Sequence, residues 1–306
     1  AACASGALQA AIQSLSFFLG NQPEQTQVLG EMAQPIGASV SDNGVTLTVD
    51  AVLGDANSYA ILYTLSRDDG TPLLQHVDPD ANLYNTHFDE GWTITDPDSI
   101  ELQEGEGLTF TGNNPTDNAI HFFEEWHCPT LENMSGPARA IFKNFRAGIV
   151  SMDVEKEEVV VEGNWTVDFQ LTYQDASIYL PTGQTFHAGT NEALTGTIEE
   201  LRVSPLSLCV TYAYEIDEEK VAAAYDPAMT TEPKEEWVSN EIECQTIQTH
   251  VFLHLKDGTT KEVGSYGDMY SKKGKQILSG TFSEITPLDT IESISIGDLT
   301  IPVPQS

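Results

Sequence analysis

Two stretches of the chain repeat one arrangement of apolar and polar positions. From Val45 to Ser66 (VTLTVDAVLGDANSYAILYTLS) and from Thr197 to Glu215 (TIEELRVSPLSLCVTYAYE), β-favouring residues lead into a short polar or Pro-containing link. A second apolar run with a tyrosine near its end follows in both. In the first copy Val45, Leu47 and Val49 alternate with Thr46, Thr48 and Asp50, the period of two expected for a strand with one buried face. Asn43-Gly44 marks the turn before it. The apolar phase then jumps by three to Val52, and a similar jump runs from Ile198 to Leu201 in the second copy, as a β-bulge would produce. One building plan in both halves predicts two related β-domains.

The remaining elements follow from the same periods. Leu8, Ala11, Ile12, Leu15 and Leu19 recur at helical spacing and predict a short helix over residues 7–19, closed by Gly20. The Gln- and Glu-rich stretch up to Ala33 reads as a linker, so the first domain begins near Gln34. Asp69-Gly70 reads as a hairpin turn after the apolar positions Ala60 and Leu62. Residues 78–118, rich in Asp, Asn, Gly and Pro, read as long surface loops with brief strands at 92–94 and 108–111. Residues 119–128 read as a strand because His121, Phe122, Phe123 and Trp126 favour β-structure. Strands are predicted at 145–154, 158–161 and 165–173, then a boundary near Gln174-Asp175. Beyond it come strands at 177–180, 196–203, 208–214, 246–255, 276–282 and 291–303, with turns at Asp257-Gly258 and Lys273-Gly274. Residues 217–237 interrupt them with a short helix around Val221 and an irregular excursion after Pro227. The expected fold is all-β: an N-terminal helix and linker (residues 1–33) and two tandem immunoglobulin-like β-sandwich domains (34–175 and 176–306). The Cys-Trp-Cys spacing of antibody domains is absent.

Charge changes the picture more than size does. Asp and Glu number 47 against 13 Lys and Arg, a formal net charge of -34, and Arg67 is the one cation in the first 138 residues. Such a surface repels phosphate, so nucleic acid is excluded as a partner, and adsorption to anionic lipid is disfavoured. Solubility of an exposed protein explains the acidity, with a divalent-cation sink as the sharper alternative. The hydrophobic content, 40%, is too high for a disordered chain. Cys3, Cys128, Cys209 and Cys244 make no CxxC and no zinc spacing. A Cys209–Cys244 disulfide and buried free thiols are both compatible with the spacing. No run of 18 apolar residues occurs. The start at Ala1-Ala2-Cys3, without Met, reads as the remainder of a longer product with an upstream anchor, or as the end of a lipoprotein signal.

The run from Gly37 to Asp50 (GASVSDNGVTLTVD), followed by Gly54-Asp55, resembles the start of a bacterial ectodomain, domain-of-unknown-function family 4179. That ectodomain is found in membrane-anchored anti-sigma-factor-like proteins of Gram-positive bacteria. Gly163-Asn164-Trp165-Thr166-Val167 is similar to its closing strand, and Leu201-Arg202-Val203-Ser204-Pro205-Leu206-Ser207 to a Ser-Pro motif of its C-terminal companion domain. Thr286-Pro287-Leu288-Asp289 and Ile294-Ser295-Ile296-Gly297-Asp298 are similar to the companion's last hairpin. The resemblance spans residues 33–304. It implies a cytoplasmic segment and one membrane helix upstream, and it carries over no catalytic or ligand residue. Residues 78–118 and 217–237 depart from the pattern as insertions.

Chemistry is sparse. The histidines are His76, His87, His121, His127, His187, His250 and His254. His250 and His254 share a strand face roughly 13 Å apart, too far for one zinc. No Gly-x-Ser-x-Gly elbow and no His-Glu-x-x-His occurs. Acid pairs such as Glu124 with Glu125, or Asp98, Glu101, Glu104 and Glu106, suggest a glycosidase only after selection from many acids. Asp78, Asp80, Asn82 and Asp89 imitate a calcium loop, but Leu83 stands where the tight turn needs Gly. Trp92, Trp126 and Trp237 are candidate sugar platforms, and Trp165 reads as packed. The sequence therefore assigns no catalytic, cofactor-binding or metal-ligating residue. The expected function is that of a non-enzymatic extracytoplasmic sensor, spacer or protein-binding region of a membrane-anchored anti-sigma-factor-like regulator. Its partner would be a protein or cell-envelope ligand. A cell-surface module binding a glycan or protein is the alternative.

Overall fold

The fold is that of a computed structural model, which describes residues 16, 19–73, 85–95, 108–110, 118–127, 135–151, 154–244, 249–263, 271–272 and 274–304. These residues form antiparallel sheets with few helices, an all-β protein. The chain groups into two compact units, Ala1–His127 with Leu131–Asp175, and Cys128–Thr130 with Ala176–Ser306.

In the first unit, helix α1 (Pro23–Met32) occupies the stretch whose composition suggests a linker. Pro23 pre-sets the first turn, Gln22 and Gln25 cap each other's backbone, and Gln25, Leu29 and Met32 fall on one buried stripe. The Gln-rich composition hides a helix with only two large apolar anchors. Of the predicted helix over residues 7–19, only Ser16 and Leu19 are described, both helical, with Leu19 buried.

Strands β1 (Gln34–Asp42) and β2 (Val45–Gly54) form a hairpin through Asn43 and Gly44, both with positive φ. That is the turn whose twist suits paired strands. Strand β3 (Ser58–Arg67) pairs with β2, and their register shifts between Val49 and Ala51, where the apolar phase jumps. Asp69-Gly70 does turn the chain, but it joins no hairpin, because β3 pairs with β2 and β6 (Ala119–His127).

Among the described residues, one sheet has the order β1-β2-β3-β6-β5, with β5 at Leu108–Phe110. A second has the order β4-β7-β8, built from β4 (Asn85–Thr95), β7 (Gly136–Ser151) and β8 (Val154–Leu171). Two expectations are corrected by these strands. The three strands expected between 145 and 173 are parts of two long ones, and the predicted strand over 145–154 spans their reversal. Strand β4, expected as a brief run among surface loops, contributes buried Phe88 and Thr93 to the core.

The inward positions of the two sheets meet in one core: Leu47, Val49, Ile61, Tyr63 and Phe122 of the larger sheet pack with Phe88, Phe142, Trp165 and Val167 of the other. The Trp165 indole donates to the Val45 carbonyl at 3.0 Å, tying the sheets together. Gly163 leaves room for that ring, since a Cβ there would lie 2.5 Å from it. The opposite face of the larger sheet also buries apolar residues, Ala51, Leu53, Ala60, Leu62 and Phe123, and α1 packs on β2. This unit therefore has a helix layer outside one sheet.

In the second unit one sheet runs β10 (Thr185–Ala188), β11 (Leu194–Val203), β12 (Ser207–Ile216), β16 (Lys275–Thr281) and β15 (Ser271–Lys272), with β9 (Ile178–Tyr179) also on β11. The other runs β14 (Thr260–Glu262), β13 (Val251–Leu255), β17 (Ile291–Ile296) and β18 (Leu299–Pro302). Ile198, Val210 and Leu278 of the first meet Leu253, Ile294 and Ile301 of the second in one core. The predicted bulge is present, between Ile198 and Glu200. The predicted strand over 291–303 is a hairpin turning at Gly297. The excursion holds two helices: α2 (Glu218–Ala223), capped by Asp217, and α3 (Lys234–Cys244), where an irregular course is expected from the sequence.

Candidate functional site

Polar side chains with chemical potential gather on both faces of the β2-β3-β6 surface. Alternation along β6 sends Ile120, Phe122, Glu124 and Trp126 inward and His121, Phe123 and Glu125 outward. Glu124 and Glu125, adjacent in sequence, therefore lie on opposite faces and cannot work as one acid pair. Glu124 is 2% exposed. Its Oε1 accepts from the Thr93 backbone N–H at 3.0 Å. Its Oε2 lies 2.5 Å from Thr93 Oγ1 and 3.1 Å from the Tyr63 hydroxyl, and those two hydroxyl oxygens lie 2.5 Å apart. Burial pushes the Glu124 carboxyl above its ordinary range, with hydrogen bonds from Thr93 and Tyr63 opposing. The Trp126 indole N–H also favours the charged form, although it makes no well-formed hydrogen bond. Burial next to this acid holds the Tyr63 and Tyr59 hydroxyls neutral, well above the usual phenol range.

On the outer face, the bulge in β2 sets Asp50 out of register, beside Thr64 of β3. Thr64 Oγ1 donates to Asp50 Oδ2 at 2.5 Å and lies 2.7 Å from Nδ1 of His121, its partner across β6. Burial pushes the Asp50 carboxyl up to about 6, against the hydrogen bond from Thr64. A nucleophilic triad needs its base between hydroxyl and acid. Here the hydroxyl stands in the middle and its proton goes to the acid, so the three groups clasp three strands.

Three other histidines make side-chain contacts at or beside strands. His254 Nε2 lies 2.7 Å from Ser295 Oγ, with Thr260 on its other nitrogen, and His250 pairs with Glu262. His187 Nδ1 lies 3.2 Å from Thr195 Oγ1. Cys209 and Cys244 are not joined, so the disulfide that the spacing allows is not formed. Among the described residues no group of three or more His, Cys, Asp or Glu could hold a metal. His76, Cys3, Cys128, the acids from Asp98 to Glu106 and most of the calcium-like loop lie outside the described residues; its last member, Asp89, pairs with Arg146. Trp126 is buried and stacked with Tyr59, so it is no sugar platform. Trp237 is half-buried and packs edge-on against Tyr225.

Sequence reading does not single out Tyr63, Thr93, Asp50 or Thr64 as members of a site. A signal is present for Glu124, an acid at an inward place of an otherwise apolar alternation. None exists for Thr93, whose strand lies in a stretch of loop-like composition.

No curated protein matches the chain. A solved structure described as the crystal structure of the conserved domain protein from Bacillus anthracis is similar over 87% of this chain and 77% of that one, at 14% identity and a TM-score of 0.46. No helix among the described residues is long and apolar enough to cross a membrane. The family model that matches is Domain of unknown function (DUF4179), over residues 2–67, which takes in the N-terminal segment, α1 and the strands β1 to β3 and ends on the last residue of β3.

Proposed function

We propose that this chain is a non-enzymatic, extracytoplasmic sensor or protein-binding region of a membrane-anchored, anti-sigma-factor-like regulator, built from two immunoglobulin-like β-sandwich domains. The observation that carries the reading is the overlap at Gly37–Asp50: the residues that resemble the ectodomain fall within the matched family segment. The chemistry of the described residues agrees with it. Asp50, Thr64 and His121 bind one another across strands, and Glu124 is enclosed between sheets, so neither cluster offers a reacting group to a substrate. The high negative charge suits an exposed protein that does not meet nucleic acid.

The test is topology and partnership of the complete gene product. Expressed in a Gram-positive host, it should be cut within this region when intact cells are treated with protease, and it should co-purify with a sigma factor. Full protection until lysis would overturn the extracytoplasmic placement, and a partner set lacking any sigma factor would overturn the regulatory one. A surface-binding module is the second reading, favoured by Met229 and Tyr179, large hydrophobic residues that are 85% and 63% exposed. External cleavage without a sigma partner would support it.

A further inference from the structure

The oxygens of Tyr63, Thr93 and Glu124 form a closed triangle with sides of 2.5, 2.5 and 3.1 Å. Three contacts need three protons to be three hydrogen bonds. The hydroxyls supply two. With a carboxylate both hydroxyls donate to Oε2, Thr93 at 2.5 Å and Tyr63 at 3.1 Å. The Tyr63 and Thr93 hydroxyl oxygens then face each other at 2.5 Å with no proton between them. A proton on Oε2 completes the ring, donated toward the Tyr63 oxygen.

The surroundings favour the neutral acid. Glu124 receives its polar contacts from Tyr63 on β3, Thr93 on β4 and Trp126 on its own strand, and its electrostatic neighbour is Tyr59, itself stacked on Tyr173. The buried residues of β7 and β8 in this core are apolar or aromatic, among them Ala138, Ala140, Phe142, Val167, Phe169 and Leu171. No cation among the described residues compensates Glu124, and the titratable pair Asp50 and His121 sits on the other face. A buried carboxylate without a cation is costly even with several donors.

We propose that Glu124 is a proton-operated latch between the two sheets of the first unit. Protonated, it closes the ring through Thr93 and holds β4 against β3 and β6. Losing its proton puts a charge with no cation beside it into the inter-sheet core, and the relief available is for β4 to move off and admit water. The ligand of this device is the proton itself. The inference goes beyond the sensor reading and stands without it.

The experiment uses the whole 306-residue chain. The Glu124 side-chain carboxyl carbon is followed by NMR from pH 3 to pH 9, with Glu124→Gln for assignment, and amide exchange of Thr93 is measured over the same range. The expected titration midpoint lies above the ordinary value of 4.5. The protection factor of the Thr93 amide, corrected for intrinsic exchange, should fall at least tenfold through that titration in the natural chain and stay flat in Glu124→Gln. A midpoint at or below 4.5 overturns the neutral acid. A protection factor unchanged through the titration overturns the latch, and this reading needs only the natural chain, so it holds if the variant fails to fold.

Discussion

Replacing Leu29 by Ala tests whether α1 is part of the folded unit or only rests on it. Leu29 is fully buried, sits on the stripe with Gln25 and Met32, and belongs to a helix that packs on β2. Removing a wholly buried leucine loses its transfer free energy and leaves a cavity, together about 2–5 kcal/mol. For a unit of this size, about 3 kcal/mol lowers the melting temperature by roughly 6–12 °C. Tryptophan fluorescence in a urea titration is a suitable assay, because Trp92, Trp126 and Trp165 all lie in the first unit and only Trp237 in the second. The midpoint should fall with the slope unchanged. Gln27→Ala is the control: Gln27 is exposed and bonds Glu31 on its own helix, so its effect should stay within about 0.5 kcal/mol. If Leu29→Ala cost no more than the control, the helix would not contribute to folding.

Three more outcomes are expected. Gly196→Ala would place a Cβ 2.2 Å from the Phe186 ring, so the second unit should lose about 1–3 kcal/mol, read from Trp237 fluorescence in urea; a neutral result would mean the ring can swing aside. Trp165→Phe removes the donor to the buried Val45 carbonyl and should cost about 1–3 kcal/mol beyond the change in ring size, measured by thermal unfolding. Asp50 has a raised carboxyl pKa, about 6 against 3.8, so its contribution is complete below 3.8, declines as pH rises through this window and is gone above 6. Asp50→Asn should therefore gain on the natural chain by about 2–3 kcal/mol between pH 3.5 and pH 7. Parallel stability curves for the two would contradict that sign.

Alternation and bulges make the strands of both copies legible, because a period of two reports directly which face is buried. Val45, Leu47 and Val49 are all buried, and both phase jumps are register shifts. Pairing is less legible. Asp69-Gly70 has hairpin chemistry, yet the strand after it joins the other sheet, since turn residues specify a local reversal and not the partner beyond it. Composition misleads twice. Gln-rich α1 needs only Leu29 and Met32 to dock, and β4 lies in an Asp- and Gly-rich stretch although it buries Phe88 and Thr93. The Glu124 cluster is half legible: its strand position can be read, but Thr93 reaches it from another sheet, 31 residues away, and no local pattern encodes that meeting.

The boundary of the family match bears on how such a cluster arises. The matched segment closes at Arg67, so it contains Tyr63, Asp50 and Thr64 but neither Glu124, Thr93 nor His121. Each polar cluster is thus assembled from a β2-β3 scaffold inside the match and a partner on β6, or on β4, outside it. A tyrosine hydroxyl in that core asks for a hydrogen-bond partner whatever strand lies next to β3. A neutral acceptor on β6 would satisfy it without sensitivity to pH. An acid at position 124 also accepts from it when ionised, but at the cost of a buried charge, which makes the choice of Glu at this place, and not the scaffold that presents Tyr63, the source of any response to protons.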